Sequence, residues 1–108
     1  FDAIVFVGGS GSMEYWDNPT AHKIATEANT AQKTIGAICI APVTLAKAGL
    51  LKNKKATTYS STVNDIKACG AVYTGADVER DGNIVTASGP AAAQKFGEIL
   101  VKALSGER

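Results

Sequence analysis

The chain carries one histidine, one tryptophan, one methionine, two cysteines and three prolines among 108 residues. A lone histidine, His22, rules out a site built from several imidazoles. Cys39, Cys69 and His22 do not stand at metal-ligand spacing either, so neither a metal nor a cofactor is expected. Two isolated cysteines in a chain that is 45% hydrophobic are not a disulfide framework; they read as thiols of an intracellular, cytoplasmic protein. The net charge of +1 supplies no basic field for nucleic acid or an anionic membrane surface. No apolar run approaches the roughly 20 residues a membrane helix needs. The Gly8-Gly9-Ser10-Gly11 loop matches neither G-x-G-x-x-G nor G-x-x-x-x-G-K-[ST], which argues against a nucleotide site. Internal repeats, low-complexity tracts, an initiator Met and a signal-like segment are also missing.

What is present is a pattern of strands alternating with helices. Residues 3–7 form an apolar strand that ends in the glycine loop, where backbone N–H groups can approach a ligand. Pro19 after Asn18 opens a helix to about Asn29, and a second strand covers 34–38. A helix follows from Pro42 to Lys47, then a strand over 55–59, a short helix from Val63 to Ala68 and short strands near 71–73 and 78–80. Asp81-Gly82 is a hairpin turn into a strand from Asn83 to Thr86. Gly89-Pro90 opens a last helix with Ala93, Phe96, Ile99, Leu100 and Leu104 at helical spacing. This alternation predicts an α/β fold with a mainly parallel sheet covered on both faces. The opening strand reads as central, with nothing ahead of it. It therefore predicts that the sheet is incomplete without an N-terminal segment, cut away or supplied by another chain.

Cys39 stands between an apolar strand and a helix start. A strand that delivers a cysteine into a tight turn before a helix is a nucleophile elbow, and the helix N-terminus favours the thiolate. The carboxyl ends of strands are where open parallel sheets bind ligands, and both Gly9 and Cys39 fall there. The expected oxyanion donors are the N–H groups of Gly9 and Ile40. Tyr59 follows the next strand and reads as a hydrogen-bond partner for the site rather than a base. Glu14 reads as a pocket or subunit-contact residue, while Tyr15 and Trp16 read as a lid, a dimer contact or a surface cluster. His22 reads as a helix-flank residue and Cys69 as structural. A nucleophile and an anion-stabilising backbone are present without a complete triad.

The segments Phe1–Gly9, Ile35–Pro42, Leu45–Leu51, Lys55–Tyr59 and Val78–Pro90 resemble the DJ-1/PfpI (ThiJ) superfamily, in the same order and across the whole chain. The resemblance implies a flavodoxin-like three-layer sandwich, here the C-terminal part of the domain, and a homodimer. It also implies Cys39 as the elbow cysteine, with Gly9 and Ile40 as donors. In the DJ-1-like branch, a glutamate from the part that precedes these segments meets the cysteine. The PfpI branch has a histidine where this chain has Ile40, and the DJ-1 branch has one where it has Tyr59. The expected partners are therefore an N-terminal fragment of the same domain, a second copy and a small-molecule substrate. The expected function is cysteine-dependent glyoxalase- or deglycase-like chemistry on reactive carbonyls. The alternatives are a redox sensor or stress chaperone, a peptidase or amidase that Ile40 disfavours, and a catalytically silent relative.

Overall fold

Asn18 starts the first helix by local chemistry: its Oδ1 accepts from the N–H groups of Thr20 and Ala21 at 2.9 and 3.0 Å, with Pro19 at the first helical position. The computed structural model describes residues 3–7 and 16–104. Strand β1 (Ala3–Val7) leads to helix α1 (Pro19–Thr30), strand β2 (Thr34–Ile38) and helix α2 (Pro42–Lys47). Strand β3 (Lys55–Ala56), helix α3 (Val63–Ala68) and strand β4 (Val72–Tyr73) follow. Strands β5 (Val78–Asp81) and β6 (Ile84–Ala87) precede helix α4 (Ala93–Leu104). A four-stranded sheet is ordered β1-β2-β6-β5, and β3 and β4 form a separate parallel pair. β1, β2 and β6 run parallel, and β5 returns antiparallel to β6 through a turn in which Gly82 holds a φ of +63°.

The two sheet faces follow the strand period of two. Ile35 and Ala37 of β2 and Ile84 of β6 join Ala25 and Ala28 of α1, Val43 and Leu45 of α2 and Ile66 of α3 in one core cluster. Ile38, Val85 and Ala87 turn to the other face and meet Phe96 of α4. Helices thus cover both faces, giving a flavodoxin-like α/β sandwich with a mixed, mainly parallel sheet.

The opening strand is not left unpaired for want of an N-terminal segment: it is itself a member of the sheet, paired with β2 from Ala3↔Thr34 to Val7↔Ile38. Its apolar composition suggested a central strand, but Ile4 and Phe6 pack onto the core while Val5 and Val7 are exposed, Val7 to 72%. An apolar run does not distinguish a central strand from an edge strand with one packed face. The strand expected over 55–59 is also shorter, because beyond Ala56 the chain bonds elsewhere. Thr57 N–H donates to Thr86 Oγ1 at 2.9 Å, and Tyr59 N–H donates to the Cys39 carbonyl at 2.9 Å.

Gly36 lets α4 close on the sheet. A Cβ built there would stand 2.9 Å from both Leu100 Cδ2 and Phe96 Cζ, well inside contact distance. Gly36→Ala is expected to destabilise the fold by about 1–3 kcal/mol, and Gly36→Val by more, measured by urea unfolding. A loss below the error of that measurement would mean that α4 moves aside freely.

Candidate functional site

β2 carries its ladder one residue past its own end. The Cys39 N–H donates to the Ala87 carbonyl at 3.1 Å, after which the backbone turns sharply into α2. Cys39 makes that turn at φ +64°, in the left-handed region that a non-glycine residue enters at a cost of about 1–3 kcal/mol. The turn closes with Ala41 N–H donating to Ile38 O at 3.2 Å and Val43 N–H to Ile40 O at 3.3 Å. The result is a strained strand-to-helix junction with the backbone shape that nucleophile elbows have.

Three neighbouring segments hold the junction. The Cys39 carbonyl accepts from Tyr59 N–H at 2.9 Å and from Thr58 Oγ1 at 3.0 Å. Thr58 Oγ1 lies 2.8 Å from Thr62 Oγ1, which in turn reaches the Tyr59 carbonyl at 3.0 Å. On the other side, Trp16 Nε1 donates to the Ile40 carbonyl at 3.2 Å. The peptides on either side of Ile40 are therefore clamped through their oxygens. Among the described residues, the Ile40 N–H has no hydrogen-bond acceptor.

Cys39 is half-buried, and burial pushes its thiol pKa up. The residue's place ahead of a helix start predicts a favoured thiolate. Among the described residues the cause that acts on it is desolvation, which works against the thiolate. No charged partner among the described residues offsets the burial.

The sequence-predicted residues separate as follows. Cys39, Ile40 and Tyr59 meet at the elbow, though Tyr59 arrives through its backbone. Its ring lies beside Gly89, where an added Cβ would stand 3.4 Å from Cδ1, and the residue is 45% exposed. Gly9, expected as the second donor, lies outside the described residues, as do Glu14 and Tyr15. His22 lies in α1, where its Nε2 donates to the Trp16 carbonyl at 2.5 Å. Cys69 caps α3 and packs on the larger core cluster. Sequence reasoning missed Thr58, Thr62 and the Trp16 bond, because each connects residues that only folding brings together. An apolar groove of about 360 Å³ runs between β1 and α1 and ends at Ala41 and Thr44, without reaching Cys39. Among the described residues no His, Cys, Asp and Glu cluster could hold a metal ion, and no helix is long and apolar enough to cross a membrane.

The model of the DJ-1/PfpI family matches residues 1–103. Protein MJ0967 of Methanocaldococcus jannaschii is 44% identical over 105 residues, covering 94% of this chain and 51% of that protein. Deglycase PH1704 of Pyrococcus horikoshii is 33% identical over 104 residues, covering 96% of this chain and 63% of that enzyme. The crystal structure of a ThiJ/PfpI domain protein from Brachyspira murdochii superposes with a TM-score of 0.96 at 31% identity, covering 100% of this chain and 62% of that one. The chain thus spans about half to three-fifths of the length of these proteins. That superposition takes in the opening strand together with the rest. With β1 already paired in the sheet and superposed with the rest, the expectation of an N-terminal fragment of the same domain as partner is contradicted.

Two outcomes follow from the elbow's backbone and its thiol. Cys39→Gly is expected to be more stable than Cys39→Ala by about 1 kcal/mol in urea unfolding, since glycine takes the left-handed conformation without strain. Equal stability would remove the strain. Alkylation of Cys39 by iodoacetamide is expected to keep rising through and beyond the ordinary thiol range, because the raised pKa leaves the protonated, unreactive form dominant at neutral pH. A rate that levels off below that range would contradict the burial effect.

Proposed function

The chain belongs to the DJ-1/PfpI family, and from that premise we propose that it uses Cys39 as a nucleophile on small reactive carbonyl compounds or their adducts. The observation that carries this reading is the positive φ of Cys39 at the β2–α2 junction, beside an Ile40 N–H with no acceptor among the described residues. A backbone holds this conformation at a cost, and the return is a thiol presented at the carboxyl end of the sheet. That a relative 33% identical to this chain is named a deglycase supports the choice of carbonyl chemistry.

In the proposed step, the Cys39 thiol gives its proton to water, and the sulfur forms a bond to the carbonyl carbon. The π pair of the C=O bond moves onto oxygen, where the Ile40 N–H donates to the developing charge. Protonation of that oxygen by the hydronium just formed completes a hemithioacetal. For methylglyoxal, transfer of the proton on the hemithioacetal carbon to the neighbouring carbonyl carbon then gives a thioester, and water cleaves it to lactate and returns the Cys39 thiol. The raised thiol makes deprotonation the demanding part, so turnover rises with pH as the thiolate fraction grows. Tyr59 contributes its backbone N–H, which anchors the Cys39 carbonyl.

The test is methylglyoxal consumption by the purified chain, together with intact-mass detection of its adduct. Wild-type protein is expected to consume methylglyoxal and to carry the adduct on Cys39, and Cys39→Ala is expected to lose both. Turnover retained in Cys39→Ala, or none in the wild type, would overturn the reading.

A further inference from the structure

Thr58 and Thr62 share more hydrogen bonds than they have protons. Both side chains are buried, at 1% and 3% exposure, so water does not complete their bonding. Three contacts are in reach: Thr58 Oγ1 to the Cys39 carbonyl at 3.0 Å, Thr62 Oγ1 to the Tyr59 carbonyl at 3.0 Å, and the hydroxyls to each other at 2.8 Å. Each hydroxyl has a single proton to donate, so two of the three form at a time. In one arrangement Thr62 donates to Thr58, and Thr58 donates to the Cys39 carbonyl. In the other Thr58 donates to Thr62, and Thr62 donates to the Tyr59 carbonyl. Sending both protons to the carbonyls would leave two hydroxyl oxygens facing each other with no proton between them.

The first arrangement matters for chemistry because the Cys39 carbonyl and the Ile40 N–H belong to one peptide group. A second hydrogen bond at that oxygen, added to the one from Tyr59 N–H, draws electron density from the amide and makes its N–H a stronger donor. It also fixes the plane of the peptide, and with it the direction in which the Ile40 N–H points.

We propose that Thr58 is a positioning residue for this site: its hydroxyl, in competition with Thr62, sets the orientation and donor strength of the Ile40 N–H through the Cys39 carbonyl. Its effect on turnover rests on the carbonyl-chemistry reading above, whereas its effect on the thiol does not.

Side-chain replacement separates this role from simple packing. In Thr58→Val, Thr62 still donates to the Tyr59 carbonyl, and the Cys39 carbonyl keeps the Tyr59 N–H. No carbonyl is orphaned, and the fold is expected to hold. In Thr62→Val, Thr58 has the Cys39 carbonyl as its remaining acceptor within the trio, and the Tyr59 carbonyl keeps the Thr62 N–H.

The experiment measures methylglyoxal turnover and the pH profile of Cys39 alkylation by iodoacetamide in both variants and in Thr58→Ser. Thr58→Val is expected to lower kcat by about tenfold with little change in KM, and to move the alkylation profile to higher pH. Thr58→Ser is expected to restore both readouts. Thr62→Val is expected to raise kcat by about twofold and to move the alkylation profile to lower pH, since it releases the Thr58 proton to the Cys39 carbonyl. Thr58→Val within twofold of wild type in alkylation, or Thr62→Val falling as far as Thr58→Val, would overturn the proposal. If wild type shows no turnover, the carbonyl reading fails and the alkylation profiles alone decide the role of Thr58.

Discussion

The left-handed backbone of Cys39 is the constraint around which the rest of this structure is arranged. A non-glycine residue leaves that conformation unless its neighbours hold it, and here they hold it on three sides. The Ala87 carbonyl takes the Cys39 N–H, Tyr59 N–H and the Thr58 hydroxyl take its carbonyl, and the Trp16 indole takes the carbonyl of the next residue. Each hydrogen bond contributes about 0.5–1.5 kcal/mol, so together they offset a strain of a few kcal/mol. Strand β6, the 57–62 segment and Trp16, ahead of α1, converge on this turn and hold it.

The same elements are fixed by apolar packing away from the site. Alternation along β2 sends Ile35 and Ala37 to one core cluster and Ile38 to the other, with Gly36 opening room for Phe96 and Leu100. The elbow therefore grows from a strand that is buried throughout and cannot shift register by one residue without exchanging its two faces. Rigidity at β2 is what gives the Cys39 turn a defined direction.

Burial and reactivity pull against each other at this thiol. Desolvation raises its pKa, while the peptide that follows it offers a hydrogen-bond donor. Such a balance suits a nucleophile whose charge develops during reaction better than one held permanently ionised. The donor side of the balance is where the Thr58 hydroxyl acts.

The sharp strand-to-helix turn at Cys39 and the order of strands and helices were legible in the sequence, because local signals carry them. A Pro after Asn18, a Pro three residues past Cys39 and alternating apolar positions state their element without reference to the remainder of the chain. The place of β1 was not legible, since an apolar strand has the same composition at an edge as in the middle of a sheet. Nor was the thiol's protonation, which depends on how much water the surrounding side chains remove. The Thr58–Thr62 pair and the Trp16 bond were hidden for a related reason: the residues they join stand 4, 19 and 24 positions apart. Sequence by itself determined the elements and the residue at their sharpest turn, because short-range sterics and periodicity suffice for both. Tertiary structure alone decided which carbonyls and hydroxyls face that residue, because hydrogen-bond partners across loops are selected by the packing of the whole core.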